Sequence, residues 1–427
     1  MGSNVSWVRI PRPPPRTSGR TVTNATPNTQ TEPPPRHAAQ SVRRPWGTIL
    51  RVVGLSLAVA LVSSASIAGI LAWKITSSFD SVFLAGEEIK LSGIGAIKGA
   101  FNVLIVGSDT RLNQPSKFGG EAAGATLNDV NIIVHVSEDH SRAVAVSVPR
   151  DMVIPIPSCP REDGSGMNAP MAAQPINVAL YYGGLACAVL TAENLTGLTI
   201  DYAGLITFNG VASLATAIGG VDVCVNAPVD DPYTGLKFPE KGTYNISGWE
   251  ALAFLRSRHG VGDGSDLGRI SSQQVYLSSL VRKVQDEGVL LDPAKVYGLA
   301  SVAANSMTLS NSLSNLDTMV AMALVLKDIP RENIMFVQYP STTGLGGVYA
   351  GKVAPLPDLA DSLFTAILND LPFRLDKDAT GVGSEIDASG VGSEIDDKAD
   401  QTGSGEILSG IQGQSAAQNT CSVSYGS

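Results

Sequence analysis

The chain has 427 residues and a formal net charge of −9, with 39 acidic residues against 30 Lys and Arg. This length exceeds that of one small domain, although it suits a single large α/β domain with tails. The 4 histidines and 4 cysteines are scattered and form no CxxC or His-containing metal pattern, so a His-based metal site or a His-driven catalytic triad has little support.

Residues 1–47 form a basic arm that is rich in Pro, Ser and Thr and poor in apolar residues. Such a segment cannot bury enough surface to offset its chain entropy, which predicts a disordered region. A basic arm can bind nucleic acid, but no folded binding module accompanies this one, so nucleic acid is not an expected partner. The basic residues set against its single acid, Glu32, are Arg9, Arg12, Arg16, Arg20, Arg36, Arg43 and Arg44.

Residues 48–74 are predicted to be a single transmembrane helix. Positions 52–73 carry no charge and are long enough to cross a bilayer as a helix. Arg43, Arg44 and Arg51 precede the run and only Lys74 follows it, so the positive-inside rule places the N-terminus in the cytoplasm and the rest of the chain outside the cell membrane. The alternative is a cleaved signal peptide, because small residues at 63–66 weaken the middle. The apolar run is longer than the core of such peptides, which favours a retained anchor.

Cysteine usage agrees with an exported domain. In an oxidising compartment, one or two disulfides are expected among Cys159, Cys187, Cys224 and Cys421. Spacing does not fix the connectivity; we favour Cys159 with Cys187, because both flank the same long connection.

Residues 75–99 are interpreted as a helical or irregular stalk and residues 100–372 as the main domain. Short β-rich runs such as FNVLIVGS and VNIIVHV alternate there with helical patterns. One pattern is predicted to break around Gly183-Gly184, and an amphipathic helix is predicted to start near Ile270. The alternation predicts an α/β fold, a three-layer α/β/α domain around a central mixed sheet.

Two further segments have a distinctive composition. Residues 226–247 are rich in Pro and Gly and suit a hairpin. Residues 373–427 are acidic and simple, with GVGSEID at 381–387 repeated at 390–396, and are predicted to be a flexible tail. The alternative for residues 407–421, ILSGIQGQSAAQNTC, is that they dock back onto the domain, since Cys421 would need a partner.

Charged residues recur where the predicted strands begin or end. Asp109 and Arg111 follow one strand, Asp129 precedes another, and Arg150 follows a third. Ligand groups of open α/β sheets lie at such strand ends. Two carboxylates entering one site from different strands are suitable ligands for Mg²⁺. Taken singly, Asp109 could equally be a loop cap and Arg150 a partner of Asp151.

Residues 255–274, LRSRHGVGDGSDLGRISSQQ, are the richest polar cluster of the domain. Arg256 and Arg258 stand at i, i+2, which on an extended segment places both on one face. Two guanidiniums facing one way suit an anion with several oxygens, such as a pyrophosphate. The alternative is a solvated charged loop. No Walker loop, GxSxG, HExxH or kinase signature is present.

These segments together resemble the LytR-CpsA-Psr family. The resemblance rests on VLIVGSDTR, NDVNIIVHVS, VSVPRD, GGVDVCV, GWEALAFLRSR and GDGSDLGRISSQQ, in this order after a single anchor. It covers roughly residues 100–280 and extends more weakly to 372, and the cysteines resemble those of an actinobacterial member. The resemblance implies a phosphotransferase at the outer face of the membrane. Such an enzyme joins a glycopolymer carried on polyprenyl pyrophosphate (arabinogalactan, teichoic acid or similar) to the muramic acid C6 hydroxyl of peptidoglycan and releases polyprenyl phosphate.

The resemblance also assigns roles by motif. Asp109 and Asp129 would hold Mg²⁺ (or Mn²⁺), and Asp266 would orient the arginines or help to deprotonate the hydroxyl. Asp263 has no motif partner and is interpreted as loop chemistry. The side chains expected around the pyrophosphate are Arg150, Arg256, Arg258, Arg269 and Gln273, of which Arg256 and Arg258 also count, with Asp266, as catalytic.

The chain departs from the family pattern at two basic positions. Leu127-Asn128 stands where many relatives have Arg-Ser, and Pro175 stands where a lysine is expected. The helices at about 294–327 could line a slot for the lipid chain, although ordinary core packing is the stronger interpretation of them.

Two other functions remain open at this stage. A lipid pyrophosphatase would use the same site with water in place of the sugar hydroxyl. A non-catalytic envelope protein that binds glycan or regulates wall assembly would fit the two missing basic residues.

Overall fold

The computed structural model describes residues 50–51, 53–59, 62–63, 81–84, 97–110, 126–387 and 405–426. It divides into two units, Met1–Ile67 and Ala68–Ser427. In the first unit, the described residues between 50 and 63 are helical, and Leu55, Leu57 and Val62 are exposed. The predicted basic arm, Arg111, much of segment 48–74, most of the predicted stalk and the second GVGSEID copy lie outside the described residues.

The second unit is built on a mixed sheet. Among the described residues its strands are β1 (Ser81–Val82), β2 (Phe101–Ser108), β3 (Asn128–Val136), β4 (Ala143–Ser147), β5 (Tyr202–Ile206), β6 (Met307–Ser310), β7 (Ile334–Gln338) and β8 (Gly413–Ser415). They are ordered β1-β6-β5-β2-β3-β4-β7-β8 across the sheet. The β2–β5 and β4–β7 pairs are parallel, whereas β2–β3 and β3–β4 are antiparallel.

Helices cover both faces of this sheet. They are α1 (Val178–Thr196), α2 (Phe208–Ala217), α3 (Gly248–Arg256), α4 (Asp266–Asp286), α5 (Pro293–Ser306), α6 (Leu316–Asp328) and α7 (Pro357–Leu368). Successive residues of a strand point to opposite faces, so Leu104 and Ile105 in β2 belong to different cores. Leu104 packs in the cluster that includes residues of α1 and α7, and Ile105 in the one that includes residues of α4 and α6. The predicted α/β/α layering is confirmed.

Helix α1 is the one described helix that is long and apolar enough to span a membrane. It packs in the interior instead, with Leu185 and Val189 in the core and Cys187 joined to Cys159 by a disulfide. The backbone leaves helical geometry at Gly183 and Gly184, which confirms the predicted break. The favoured Cys159–Cys187 pairing is also confirmed. Because much of 48–74 is not described, the prediction of an anchor there continues to rest on the sequence.

Two predicted boundaries of the main domain differ from the structure. Ser81–Val82, in the expected stalk, forms an edge strand, and Leu84 is buried in the core, because apolar side chains there meet the sheet. In the expected tail, Gly413–Ser415 pairs with β7, and Thr420–Ser422 pairs with Val221–Val225. Cys421 is bonded to Cys224. The described part of 373–427 is therefore an integral layer of the domain.

Smaller strands complete the described part of the chain. Gly242–Ile246, Val221–Val225, Thr420–Ser422 and Ser384–Ile386 form a second sheet in that order. Two-stranded pairs join Val153–Ile156 with Met171–Pro175, Cys159–Pro160 with Met167–Asn168, Val229–Asp231 with Leu236–Phe238, Ser341–Thr343 with Val353–Pro355, and Phe373–Arg374 with Glu406–Ile407. The pair at 229–238 confirms the hairpin predicted within 226–247.

The first GVGSEID copy packs against the start of α4. The Ser272 hydroxyl donates to the carbonyl of Gly383 at 3.3 Å and lies 2.7 Å from the Ser422 hydroxyl. A Cβ atom at position 383 would lie 2.0 Å from the Gly268 carbonyl oxygen. Only glycine allows this approach of two backbones.

Gly383→Ala is therefore expected to destabilise the domain. Relief of the clash requires a backbone shift, and we expect the free energy of unfolding to fall by about 1–3 kcal/mol, as measured by chemical denaturation. Gly346→Ala is the matched control, because its φ is −87° and no heavy atom lies within 4 Å of the added Cβ. Equal loss of stability in both variants would contradict the packing described.

Candidate active site

A cavity of about 400 Å³ lies between the sheet and helices α2, α3 and α4. Its walls are largely apolar, with Ile105 and Ile132 from the sheet and Val211, Leu252 and Leu277 from the helices. Asp129, Arg150, Arg256, Arg258, Arg269 and Gln273 also line it. An apolar cavity with a few convergent charged groups is typical of a ligand site. Helices α5 and α6, considered above for a lipid slot, contribute no residue to this lining and serve as core packing.

Arg256 and Arg258 both line the cavity, but their backbone differs from the expected extended segment. Arg256 is the last residue of α3, and Ser257 then turns extended with φ −60° and ψ 135°. The Arg256 guanidinium lies over the Phe208 ring, 4.1 Å from its centre, which holds a cation against an apolar wall. A helix end followed by one extended residue thus brings the two arginines to one cavity.

Asp266 organises the cationic side of the site. It is the first residue of α4, directly after Ser265, whose hydroxyl accepts a hydrogen bond from the amide of Gly268. One Asp266 oxygen accepts from Arg258 at 2.7 Å and lies 2.6 Å from Arg269, and the other accepts from the Arg150 amide at 3.1 Å. With both oxygens engaged and the side chain buried, Asp266 is placed to orient arginines.

Arg269 and Gln273 project from successive turns of α4 and both line the cavity. The helix begins four residues before the predicted start at Ile270, because Ser265 caps it. Arg269 donates to the backbone carbonyl of Asp129 at 2.8 Å, and Gln273 donates to that of Leu255 at 2.8 Å. Burial lowers the pKa of Arg269, and this is partly offset by the Asp266 and Asp129 carboxylates. These bonds tie α4 to β3 and α3 across the site.

Arg150 follows β4 and links the cluster to the carboxylates. Its guanidinium lies 2.6 Å from Asp129 and 3.3 Å from Asp151. Burial alone would lower the pKa of Arg150, but Asp129, Asp151 and Asp266 outweigh it and raise the pKa. The expected pairing of Arg150 with Asp151 is present, alongside the interactions with the site.

Asp109 and Asp129 lie at the same end of neighbouring antiparallel strands. Asp109 follows β2, and Asp129 is the second residue of β3 rather than a residue before it. Asp109 accepts from the amide of Leu127 at 2.9 Å, which is the expected loop cap. Burial raises the pKa of Asp109, and the nearby Asp129 carboxylate raises it further. Two neighbouring carboxylates are a suitable donor set for a hard divalent cation.

Leu127 and Pro175 stand where basic residues are expected, and the segments around them have local roles in the structure. The amide of Leu127 donates to the Asp109 carboxylate at 2.9 Å, and Asn128 follows it directly. Asn128 is buried, and its side chain donates to Asn131 at 2.6 Å and accepts from the amide of Leu180 at 3.1 Å. Pro175 is paired with Val153 in a two-stranded sheet. Asn128 therefore fastens β3 to the start of α1.

Three residues beside the site carried no recognisable signal in the sequence. Asp231 is buried at the turn of the 229–238 hairpin and accepts from the Ser257 hydroxyl at 2.6 Å. Tyr233 and His259 line the cavity together, with ring centres 4.5 Å apart. Tyr233 and His259 reach the cavity because the 229–238 hairpin contacts the loop after α3. Asp263 lies in that loop and accepts from the amide of Ser265 at 2.9 Å, as loop chemistry predicts.

Comparison with known proteins yields one family match and several relatives. The model of the LytR_cpsA_psr family matches residues 79–355. The cell wall biosynthesis protein LcpA of Corynebacterium glutamicum is 30% identical over 271 residues, 58% of this chain and 51% of that protein. The polyisoprenyl-teichoic acid–peptidoglycan teichoic acid transferase TagT of Bacillus subtilis is 28% identical over 44% of this chain and 53% of that protein. The chain thus spans about half the length of these relatives.

A crystal structure of a Streptococcus agalactiae protein has the same fold. It superposes with a TM-score of 0.50 over 64% of this chain and 88% of that chain, at 21% sequence identity.

Proposed function

Because residues 79–355 match its family model, the chain belongs to the LytR-CpsA-Psr family, and we propose that it is a transferase of cell-wall glycopolymers. Its donor would be a glycopolymer (arabinogalactan, teichoic acid or similar) carried on polyprenyl pyrophosphate. Its acceptor would be the C6 hydroxyl of muramic acid in peptidoglycan, and polyprenyl phosphate would be released.

One observation carries the proposal: four arginines converge on the lining of a largely apolar cavity. Arginine guanidiniums match phosphate oxygens in geometry and remain charged when buried. The apolar walls suit a hydrocarbon chain, whereas a free sugar phosphate would gain nothing from them. A lipid pyrophosphate matches both features of the cavity, because its phosphates suit the arginines and its hydrocarbon chain suits the apolar walls.

The proposed reaction is a displacement at phosphorus. The hydroxyl oxygen attacks the phosphorus next to the sugar, and the bond to the bridging oxygen breaks. Polyprenyl phosphate leaves with that electron pair, and the hydroxyl proton is released. Arg150, Arg256, Arg258 and Arg269 would hold the pyrophosphate and stabilise the charge that develops on its oxygens. Asp266 would position Arg258 and Arg269, since its oxygens already accept hydrogen bonds from the cluster.

Asp109 and Asp129 would hold Mg²⁺ or Mn²⁺. Such an ion would supply positive charge to the phosphate oxygens when it is bound. The Arg150 guanidinium, 2.6 Å from Asp129, keeps that carboxylate oriented.

We further propose a single-pass cell-membrane location, with a cytoplasmic N-terminus and the folded domain outside. The disulfides Cys159–Cys187 and Cys224–Cys421 support exposure to an oxidising compartment. That side of the membrane also holds the proposed acceptor.

A transfer assay separates the proposed function from its alternatives. The full-length chain in detergent is given a radiolabelled lipid-pyrophosphate-linked glycan, with and without peptidoglycan. We expect label in the peptidoglycan and formation of polyprenyl phosphate, both dependent on the acceptor. Phosphate release without transfer would favour the lipid pyrophosphatase, and binding without any reaction would favour the non-catalytic glycan-binding protein.

Asp109→Asn is expected to abolish Mg²⁺ binding at the proposed site. We expect the transfer rate to fall at least about 100-fold, because the variant loses a charged ligand. We also expect Mg²⁺ to raise the Tm of the wild type by mass action and to leave the variant unchanged. In metal-free buffer the variant should be slightly more stable than the wild type at neutral pH, because burial raises the pKa of Asp109 and penalises its charged form.

Asp163→Asn, at an exposed carboxylate, is the control for this experiment. It should keep both the activity and the Mg²⁺ response. If Mg²⁺ changed neither the Tm nor the transfer rate of the wild-type chain, the metal assignment would be contradicted.

A further inference from the structure

An aromatic pair stands on the exposed side of the cavity. Tyr233 and His259 have ring centres 4.5 Å apart at an angle of 41°. Both line the cavity, yet Tyr233 is 77% exposed and His259 is also exposed. A large apolar ring held open to solvent at the rim of a site suits contact with a ligand.

The pair is held in place by the buried carboxylate of Asp231. One Asp231 oxygen accepts from the amides of Tyr233 at 2.9 Å and Thr234 at 3.3 Å. The other accepts from the Ser257 hydroxyl at 2.6 Å, and that hydroxyl accepts from the amide of Gly260 at 3.2 Å.

This bonding favours the charged form of Asp231. Burial would raise the pKa of Asp231, but the hydrogen bonds from Ser257 and from the turn amides outweigh burial and lower the pKa. The hairpin turn and the arginine loop are thereby fastened together, so the two rings are presented on a fixed backbone beside Arg258. Such preorganisation limits the entropy lost when a ligand binds.

The lining residues differ in exposure, and the buried ones include Arg269. Ile132 and Leu252 are buried and apolar. The guanidiniums of Arg150 and Arg258 are partly exposed, and the ring of Tyr233 is mostly exposed. A lipid-linked sugar has the same order of chemistry: hydrocarbon, then pyrophosphate, then sugar ring. A pyranose presents a face of C–H bonds, which packs against an aromatic ring while its hydroxyls stay hydrated.

We propose that Tyr233 and His259 form the subsite for the first sugar of the donor, a pyranose attached directly to the pyrophosphate. The assignment rests on the proposed function and deepens it, since it names the residues that distinguish a glycosylated lipid pyrophosphate from a bare one. The Tyr233 ring packs on the sugar face, and His259 supports that ring from the loop that carries Arg258.

Binding of two probes to the full-length chain in detergent tests this subsite. The probes are farnesyl pyrophosphate and farnesyl pyrophosphate bearing N-acetylglucosamine, each titrated by calorimetry. Tyr233→Ala is expected to raise the Kd of the glycosylated probe about tenfold and to leave the Kd of farnesyl pyrophosphate within about twofold of the wild-type value. Tyr233→Phe should keep both affinities, because the ring rather than the hydroxyl makes the contact. Tyr181→Ala, at another exposed tyrosine outside the cavity lining, should also keep both.

Other binding results would overturn either the sugar subsite alone or the proposed function as well. Equal weakening of both probes by Tyr233→Ala, or no weakening of either, would overturn the sugar subsite and leave the proposed function standing. A wild-type chain that binds neither probe would contradict the proposed function itself, and the subsite with it. Unchanged binding of farnesyl pyrophosphate by the variant serves as the check that its cavity is folded.

Discussion

Arg258→Ala is expected to lower kcat/KM for glycan transfer by about 10³-fold or more. Arg258 lines the cavity and is held in position by Asp266, so its loss removes a fixed positive charge from the phosphates. Single preorganised donors to a developing oxyanion are worth about 10²–10³ in rate, and arginines that act on transferred phosphoryl groups about 10³–10⁵. The measurement is steady-state transfer of labelled glycan to peptidoglycan.

Two variants control this experiment. Arg258→Lys keeps the charge but loses the planar fork, and we expect it to recover only a small part of the rate. Arg161→Ala removes an exposed arginine outside the cavity and should keep full activity. The Tm of Arg258→Ala should fall by only a few degrees, because Asp266 keeps its interactions with Arg269 and the Arg150 amide. Retention of more than a tenth of the wild-type rate by Arg258→Ala would show that this arginine does not act on the reacting phosphate.

Replacing both Cys224 and Cys421 by Ser is expected to produce the largest loss of stability. This disulfide spans 197 residues, and chain-entropy estimates for loops longer than 100 residues reach about 5 kcal/mol. We expect a fall in Tm of roughly 5–10 °C by calorimetry. The transfer rate should fall as well, because the bonded segment holds the first GVGSEID copy against the start of α4, where Asp266 and Arg269 lie.

The second disulfide provides the matched comparison. Cys159 and Cys187 close a loop of only 28 residues, so their double Ser variant should lose less stability. This variant should also lose less activity, since the missing disulfide fastens α1, which contributes no residue to the cavity lining. A greater loss of stability in the Cys159/Cys187 variant than in the Cys224/Cys421 variant would contradict this account of the C-terminal segment.

The sheet could be predicted because the local sequence of its strands has the apolar pattern that buried strands require. The run from Val130 to Val136, VNIIVHV, is mostly apolar, which is typical of a central strand buried on both faces. Helix α4 was harder to delimit, because its first turn contains Asp266, Gly268 and Arg269, which look like loop residues. The Ser265 cap and the burial of Arg269 against Asp266 make that turn helical.

The C-terminal layer could not be predicted from composition. Residues 381–387 are polar and rich in glycine, which is typical of a linker. In the fold, the lack of side chains at Gly381 and Gly383 is what permits close contact with α4, and Cys421 fastens the following strand. A single cysteine in a polar segment indicates a partner but does not identify it.

Of the residues that line the cavity, the arginines and Asp129 could be predicted and the aromatic pair could not. Asp109, Asp129 and Arg150 stand at strand ends, where the topology of α/β sheets concentrates ligand groups. Asp231 and Tyr233 come from a hairpin whose sequence resembles an ordinary surface turn. Their position beside Arg258 depends on a hydrogen bond between Asp231 and Ser257, residues that are 26 positions apart.

The lipid pyrophosphate site is tested most directly by the electron density of the full-length chain with farnesyl pyrophosphate bound in the presence of Mg²⁺. We expect phosphate oxygens within hydrogen-bond distance of Arg256, Arg258 and Arg269. We also expect the farnesyl chain to lie between the sheet and helices α2, α3 and α4. Phosphates bound away from these arginines, or a lipid chain outside this cavity, would contradict the proposed site.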